Sequence, residues 1–293
     1  MLCTRTVLSA LLLLCLSCCK AGASLQGGGL RPLQGALSLP EMKEWLRRAA
    51  AEQRRKFEKA RGSIPSREDV EFMANLDKHN REAMKLLLSV SKSTKGWTFV
   101  NEKDGVTVEK CFLPAGSFVS ERDRLKGSKH ACVKSSAVLD APPAAIYKLF
   151  LDNSRVAEYN EHIKEVRDVQ YMPDKASKIA WCVGPSYGPF AARDFCSVVN
   201  FTKRGGGGYI ILNRPAYHSQ FPESQKCVRA TILLAGNIIE PHGRGRSLVT
   251  QIAHVNPGGG ADNKVVASVI NRLCAVGPPV FLRKLEAAAK KKV

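Results

Sequence analysis

A chain of 293 residues with 44% hydrophobic content is long enough to bury a substantial core, as one large domain or two small ones. Its formal charge of +19 implies attraction to anionic surfaces: nucleic acid, acidic proteins or anionic lipid headgroups. An aromatic content of 7%, and no RNP-like, zinc-finger or basic-zipper pattern, argue against nucleic acid.

The N-terminus has the layout of a secretory signal peptide. Met1 to Arg5 carries one positive charge, Val7 to Cys19 is a short apolar run, and Ala21-Gly22-Ala23 offers an A-x-A cleavage site before Ser24. Residues 1–23 are therefore expected to be removed, placing the protein in the secretory pathway or outside the cell. A membrane anchor formed by residues 7–19 and a bipartite plastid leader are the alternatives. Cys3, Cys15, Cys18 and Cys19 leave with this segment. The other six cysteines, Cys111, Cys132, Cys182, Cys196, Cys227 and Cys274, are widely spaced and lack any C-x-x-C pair, which excludes a zinc ribbon and a thioredoxin motif. Buried free thiols are the preferred reading, with one or two disulfides left open.

Residues 24–61 read as a Gly-, Leu- and Pro-rich linker followed, over 41–61, by a basic amphipathic helix with eight Lys or Arg against four Glu. "GSIP" breaks it, and residues 62–293 form the main domain. Ser66-Arg67-Glu68-Asp69 has capping-box character and opens a helix to about residue 91, with an apolar stripe through Val70, Met73, Leu76, Ala83, Leu87 and Val90. After Gly96 the period shifts towards two. Residues 97–100 and 106–112 form a hairpin about Asp104-Gly105, and 129–139 is a further strand. Residues 140–160, with Pro142-Pro143 near the start, hold one or two short helices. Strands then follow at 162–171 and 177–183, in a hairpin around Gly205–Gly208, and at 226–239 and 246–255. A last helix over 264–289 is disturbed at Gly277-Pro278-Pro279. The order is helix, three strands, short helices, six strands, long helix. It implies an α+β fold with one large antiparallel sheet and no parallel βαβ unit.

Candidate chemistry is sparse. Gly184-Pro185-Ser186-Tyr187-Gly188 matches G-x-S-x-G, which makes a serine esterase or lipase using Ser186 one alternative. That chemistry needs a strand, a strained turn and then a helix, whereas here a second strand follows. The four glycines lack a following Gly-Lys-Ser/Thr and a helix N-terminus, so they read as a turn rather than a phosphate cradle. The six histidines show no H-x-H or H-x-x-x-H spacing. Neither a metal, a cofactor nor a catalytic residue is expected.

The blocks "VLDAPPAAIYKLFLDNSRVAEYN", "GPFAARDFCSVVNF", "GYIILNRPAYHSQFPESQKCVRATILLAGNIIEP", "SLVTQIAHVNPGG" and "FLRKLEAAAK" follow one another as in the START (steroidogenic-acute-regulatory-protein-related lipid transfer) domains. The resemblance covers about residues 66–290. It implies a helix-grip fold, in which a curved antiparallel sheet wraps on a long C-terminal helix around a hydrophobic tunnel. It implies non-catalytic lipid binding, with transfer between membranes and one lipid in the tunnel of a monomer. A phospholipid, sphingolipid or sterol is the ligand class.

By this resemblance Trp181, Phe195, Val199, Tyr209, Ile211, Val269, Leu273 and Phe281 are expected to face the lipid. Arg193 and Asp194 are expected to pair structurally at the tunnel rim. Tyr187 and Phe190, in the loop 182–192, suit insertion into an anionic membrane, helped by Lys284 and Lys290–Lys292. Two positions depart from the family. Tyr159-Asn160 stands where Trp-Asp is usual. Val199 stands where sterol-carrying members place an arginine, and the neighbouring strand around Ala180 shows no acid. A charged pair at that point of the tunnel is therefore not expected, which weighs against a sterol.

Overall fold

The computed structural model describes residues 75–114, 128–172, 176–186, 191–218, 220–223, 226–262, 264–274 and 276–291. The expected signal peptide, linker, basic helix and helix start at Ser66–Asp69 lie outside these residues.

Helix α1 spans Leu76–Lys92 and buries Asn80, Ala83, Leu87 and Val90, the inner stripe of its apolar period. Strands β1 (Thr98–Lys103) and β2 (Val106–Cys111) form the first hairpin. Its Asp104-Gly105 turn has φ of 53° and 67°, the two positive angles that a twist-matched tight turn demands. Strand β3 (Cys132–Leu139) is followed by α2 (Pro143–Leu151), a single 3₁₀ turn and α3 (Val156–Tyr159). Pro143 occupies the first turn of α2, where its missing N–H would have had no helical partner.

Six longer strands come next: β4 (Glu165–Tyr171), β5 (Ser177–Val183), β6 (Arg193–Lys203), β7 (Tyr209–Pro215), β9 (Thr231–Pro241) and β10 (Ser247–Asn256). A two-residue strand, β8 (Val228–Arg229), lies between β7 and β9 in sequence and pairs with the start of β6 in parallel. It corrects the expectation of six strands in this part, because the chain breaks at Ala230 before β9 begins. Every other pairing is antiparallel, and the strands follow the order β1-β2-β3-β10-β9-β7-β6-β5-β4. The final helical run is two helices, α4 (Lys264–Leu273) and α5 (Gly277–Lys290). Pro278 and Pro279 begin the second helix rather than kink a continuous one.

The curved sheet has a layer on each side. On the outer face α1 packs Leu87 against Leu212, Leu234, Ile238 and Ile252. Gly236 of β9 permits this approach: a Cβ there would lie 2.6 Å from the Leu87 side chain and 2.8 Å from the Ile211 carbonyl. On the inner face α5 packs Phe281, Leu282, Leu285 and Ala288 against Val106, Val108, Val133, Ala137 and Leu139. Arg283 fastens α5 to the first hairpin, donating to Asp104 O at 2.8 Å, and to β3, donating to Val138 O at 3.4 Å.

Candidate functional site: the inner face of the sheet

Alternation along β6 separates two sets of side chains. Cys196 and Val198 point outward into a small cluster with Ile179. Val199 and Phe201 point inward, where Tyr209 and Ile211 of β7 join them. Phe195 has the same parity as Val199 and is buried. Helix α2 lies over this surface: Tyr147 stacks on Tyr209 with centroids 4.2 Å apart and meets Phe201 edge-on at 6.2 Å. Tyr159 of α3 meets Phe281 of α5 edge-on at 6.0 Å. Val199, Phe201 and Tyr209 stay only partly buried although helices lie above them, whereas Val198 and Leu212 on the outer face are at 0% exposure.

A polar group lies on the same inner face. Lys178 of β5 is the cross-strand partner of Val199, and Asp168 of β4 is the partner of Ala180. The Lys178 ammonium, almost fully buried, reaches Asp168 Oδ1 at 2.7 Å and Oδ2 at 2.9 Å and lies 5.5 Å from the Phe201 ring centre. Tyr171 Oη and Asn153 Nδ2 donate to the same carboxylate at 2.7 and 2.8 Å. Burial alone pushes the Asp168 carboxyl up, but hydrogen bonds from Lys178, Tyr171 and Asn153 outweigh it and hold it below the usual carboxylate range. The expectation that this region lacks a charged pair is thus corrected. The base enters opposite Val199 and the acid comes from β4, across an irregularity between Asp168 and Gln170 that shifts the register. A lysine at a strand start, ten residues after an aspartate, carries no sequence signal of this pairing.

The sequence-derived residues divide as follows. Val199, Tyr209, Ile211 and Phe281 come together in the inner cluster, with Phe195 on the same strand face. Trp181 does not join them. It pairs with Cys196 in register and so points outward, where its indole donates to Asp194 Oδ2 at 2.9 Å and stacks on Phe221 at 4.9 Å. Val269 is half-buried on α4, and Leu273 ends that helix. Tyr187 and Phe190 lie outside the described residues.

Arg193 and Asp194 also separate, because neighbours on a strand face opposite sides. Asp194 is clasped by Arg229 of β8, with Nε and Nη2 at 2.9 and 2.8 Å, and by Trp181. Burial works against the Arg229 charge, but its hydrogen bonds to Asp194 prevail and raise its pKa. Arg193 donates to Ala191 O at 2.6 Å and Pro257 O at 3.4 Å, and burial lowers its pKa to about 10. The expected pair between the two residues is thus corrected: each holds the start of β6 through partners of its own.

Ser186 is exposed beyond β5, and among the described residues the next element is the strand β6 from Arg193, whereas a nucleophile elbow is followed by a helix. Among the described residues no three His, Cys, Asp or Glu side chains cluster as metal ligands, and no helix is long and apolar enough to cross a membrane. The lysines of α5 and its C-cap are not spare charges. Lys284 is paired with Glu161, Lys290 with Asp140 at 2.9 Å and Glu286 at 3.3 Å, and Lys291 with Glu158 at 3.2 Å.

A family model for the START domain matches residues 78–292. Mouse START domain-containing protein 10 is 23% identical over 171 residues, which is 58% of this chain and 55% of that protein. Its human relative of the same name is 22% identical over the same length. The chain thus matches about half the length of these curated relatives. Among solved structures, human StAR-related lipid transfer protein 5 superposes with a TM-score of 0.61 at 17% identity, covering 74% of this chain and 97% of that one. Human STARD10 superposes with a TM-score of 0.57 at 20% identity, covering 78% and 82%. At these identities the likeness is one of fold.

Proposed function

The chain belongs to the START domain family, and we propose that it binds one lipid between the inner face of its sheet and the covering helices, and carries it between membranes as a monomer. The observation that supports this is the incomplete burial of Val199, Phe201 and Tyr209 beneath α2 and α5, where Val198 and Leu212 on the opposite face of the same strands are fully buried. Each methylene buried there stabilises the complex by roughly 0.8 kcal/mol, so one long acyl chain is worth on the order of 10 kcal/mol. That is enough to hold a molecule that scarcely leaves a bilayer unaided.

Lys178 supplies a polar contact for the ligand. Asp168 occupies one side of its ammonium, and an ammonium carries three donors. Because the ion pair is already neutral, it suits an uncharged acceptor, such as a hydroxyl or carbonyl oxygen, better than a full negative charge in this interior. The membrane-facing edge is the end of the molecule where Lys110, Lys129 and Arg272 surround an open groove beside α4, with Phe112 exposed at its border. Residues 1–23 direct the protein into the secretory pathway, and N-terminal sequencing of the mature chain tests it: Ser24 as first residue is the expected result.

Mass spectrometry of lipids extracted from the purified full chain tests the main reading. One lipid class at one molecule per chain is expected, and Val199→Arg is expected to lose it while keeping the far-UV circular dichroism of the parent. Equal lipid content in the variant, or no lipid after incubation with mixed vesicles, overturns the proposal.

A further inference from the structure

Cys111 and Cys132 are both free thiols and are neighbours across a ladder. Cys111 ends β2, Cys132 begins β3, and the two are direct partners in the antiparallel register. Residues so opposed stand about 4.5–5.5 Å apart at Cα, within the range of about 4.4–6.8 Å that a disulfide spans. Both side chains lie on the outer face, in the same apolar cluster. Other cysteines lack this placement: Cys182 and Cys196 point to opposite faces of their strands, and Cys274 donates its S–H to Asn271 O at 3.3 Å.

The two thiols are not equivalent. Cys132 is at 0% exposure and Cys111 retains 8%. Their mutual interaction lowers the Cys111 pKa against the effect of burial, with Lys134 adding to the lowering, and the same interaction and burial raise that of Cys132. Cys111, the one with exposed surface, is the thiol that an oxidant reaches, and Cys132 is the one placed to resolve.

We propose that Cys111 and Cys132 are a reversible redox couple, closed to a cross-strand disulfide by a small-molecule disulfide of the glutathione class. The Cys111 thiolate attacks one sulfur of the oxidant, expelling one thiolate that takes up a proton. Cys132 then loses its proton and attacks Cys111 Sγ in the mixed disulfide, expelling the second thiol. Two S–H bonds of the protein are lost, one S–S bond forms, and the oxidant is reduced to two thiols.

The position gives the bond a consequence. The residues just before the two cysteines hold α4: Lys110 Nζ donates to Asn271 O at 3.1 Å, and Ala131 N–H donates to Asn271 Oδ1 at 2.8 Å. Asn271 Nδ2 in turn donates to Lys129 O at 2.8 Å. Linking Cys111 to Cys132 ties together the two strand ends on which α4 is seated, so oxidation tightens that seat.

The full chain, equilibrated with oxidised glutathione and digested without reduction, is expected to yield a peptide pair linked through Cys111 and Cys132, lost again after dithiothreitol. Cys132→Ala is expected to trap one glutathione on Cys111, whereas Cys111→Ala leaves Cys132 as a free thiol. Amide hydrogen exchange across 264–273 is expected to slow in the oxidised protein and recover on reduction. Full alkylation of both thiols after oxidation, linkage of either to Cys274, or trapping of glutathione on Cys132 instead overturns the couple. Identical exchange in the two redox states overturns the tightening of α4.

Discussion

The two faces of this sheet are built from similar residues and end in different states. On the outer face Leu87 of α1 enters the space left by Gly236, and Leu212, Leu234 and Ile252 close around it without residual surface. On the inner face the contacts are larger and looser, with Tyr147, Phe201 and Tyr209 in ring contact and still partly exposed. The polar groups differ in the same sense. Outside, Arg214 donates from Nε to Asn80 Oδ1 at 2.6 Å, and Asn80 and Asn200 both donate to Ser177 Oγ. Inside, a lysine shares one carboxylate with a tyrosine and an asparagine. The proposed binding face is thus the one on which large side chains keep exposed surface.

Substitutions can break this contrast. Leu87→Ala on the packed face should cost about 2–5 kcal/mol of unfolding free energy, because the cavity has rigid strand walls. Urea denaturation measures that loss, and lipid bound per folded molecule should not change. A comparable loss of lipid would mean that the faces are not independent.

Acid should act next in size. Burial lowers the pKa of His254, on the outer-face phase of β10, to about 4 from 6.5, and that of His162, near Lys284, to about 3. A base depressed in the folded state is protonated first in the unfolded one. Its stabilising effect is whole above 6.5 and is lost as pH falls towards the folded value. Each imidazole contributes at most about 1.4 kcal/mol per pH unit. Urea midpoints should therefore drop between about pH 7 and about pH 5, with a shallower drop in His254→Gln. An equal slope in that variant would assign the acid sensitivity to other groups.

The smallest stability effect is expected where the ligand effect is clear. Val199→Ala should cost below about 1 kcal/mol, since the side chain is only partly buried, yet it should change the chain lengths of the lipids that co-purify. A loss as large as that of Leu87→Ala would show the inner face to be packed as tightly as the outer one.

Much of the fold was legible in the sequence. The Asp-Gly turn, the switch of period after Gly96 and the proline-marked helix starts placed most elements within a few residues. The inward set on β6 and β7 was also readable, because "DFCSVVNF" alternates clearly enough to separate Val199 from Val198. Strand β5 gave no such signal. Ile179, Ala180, Trp181, Cys182 and Val183 are apolar in both phases, so only the register with β6 reveals that Trp181 faces outward. The Lys178–Asp168 pair depends on a register shift in β4, and the Asp194–Arg229 clasp depends on a two-residue strand. Neither leaves a local pattern. The separation of Arg193 from Asp194 was implicit, since adjacent residues on a strand cannot share a face.

The strand order also sets a timetable for biosynthesis. β3 finds its second neighbour only in β10, and the inner surface of β2 and β3 is closed by α5. A ribosome releases the first hairpin and β3 long before residues 247–290 emerge. During that interval Val106, Val108 and Val133 have no partner, because the structure that shelters them has not yet been translated. Contacts so distant along the chain are slow to form, and unpaired strands invite association with other nascent chains. The time from release of β3 to completion of the last helix is therefore the interval in which the nascent chain is most open to such association.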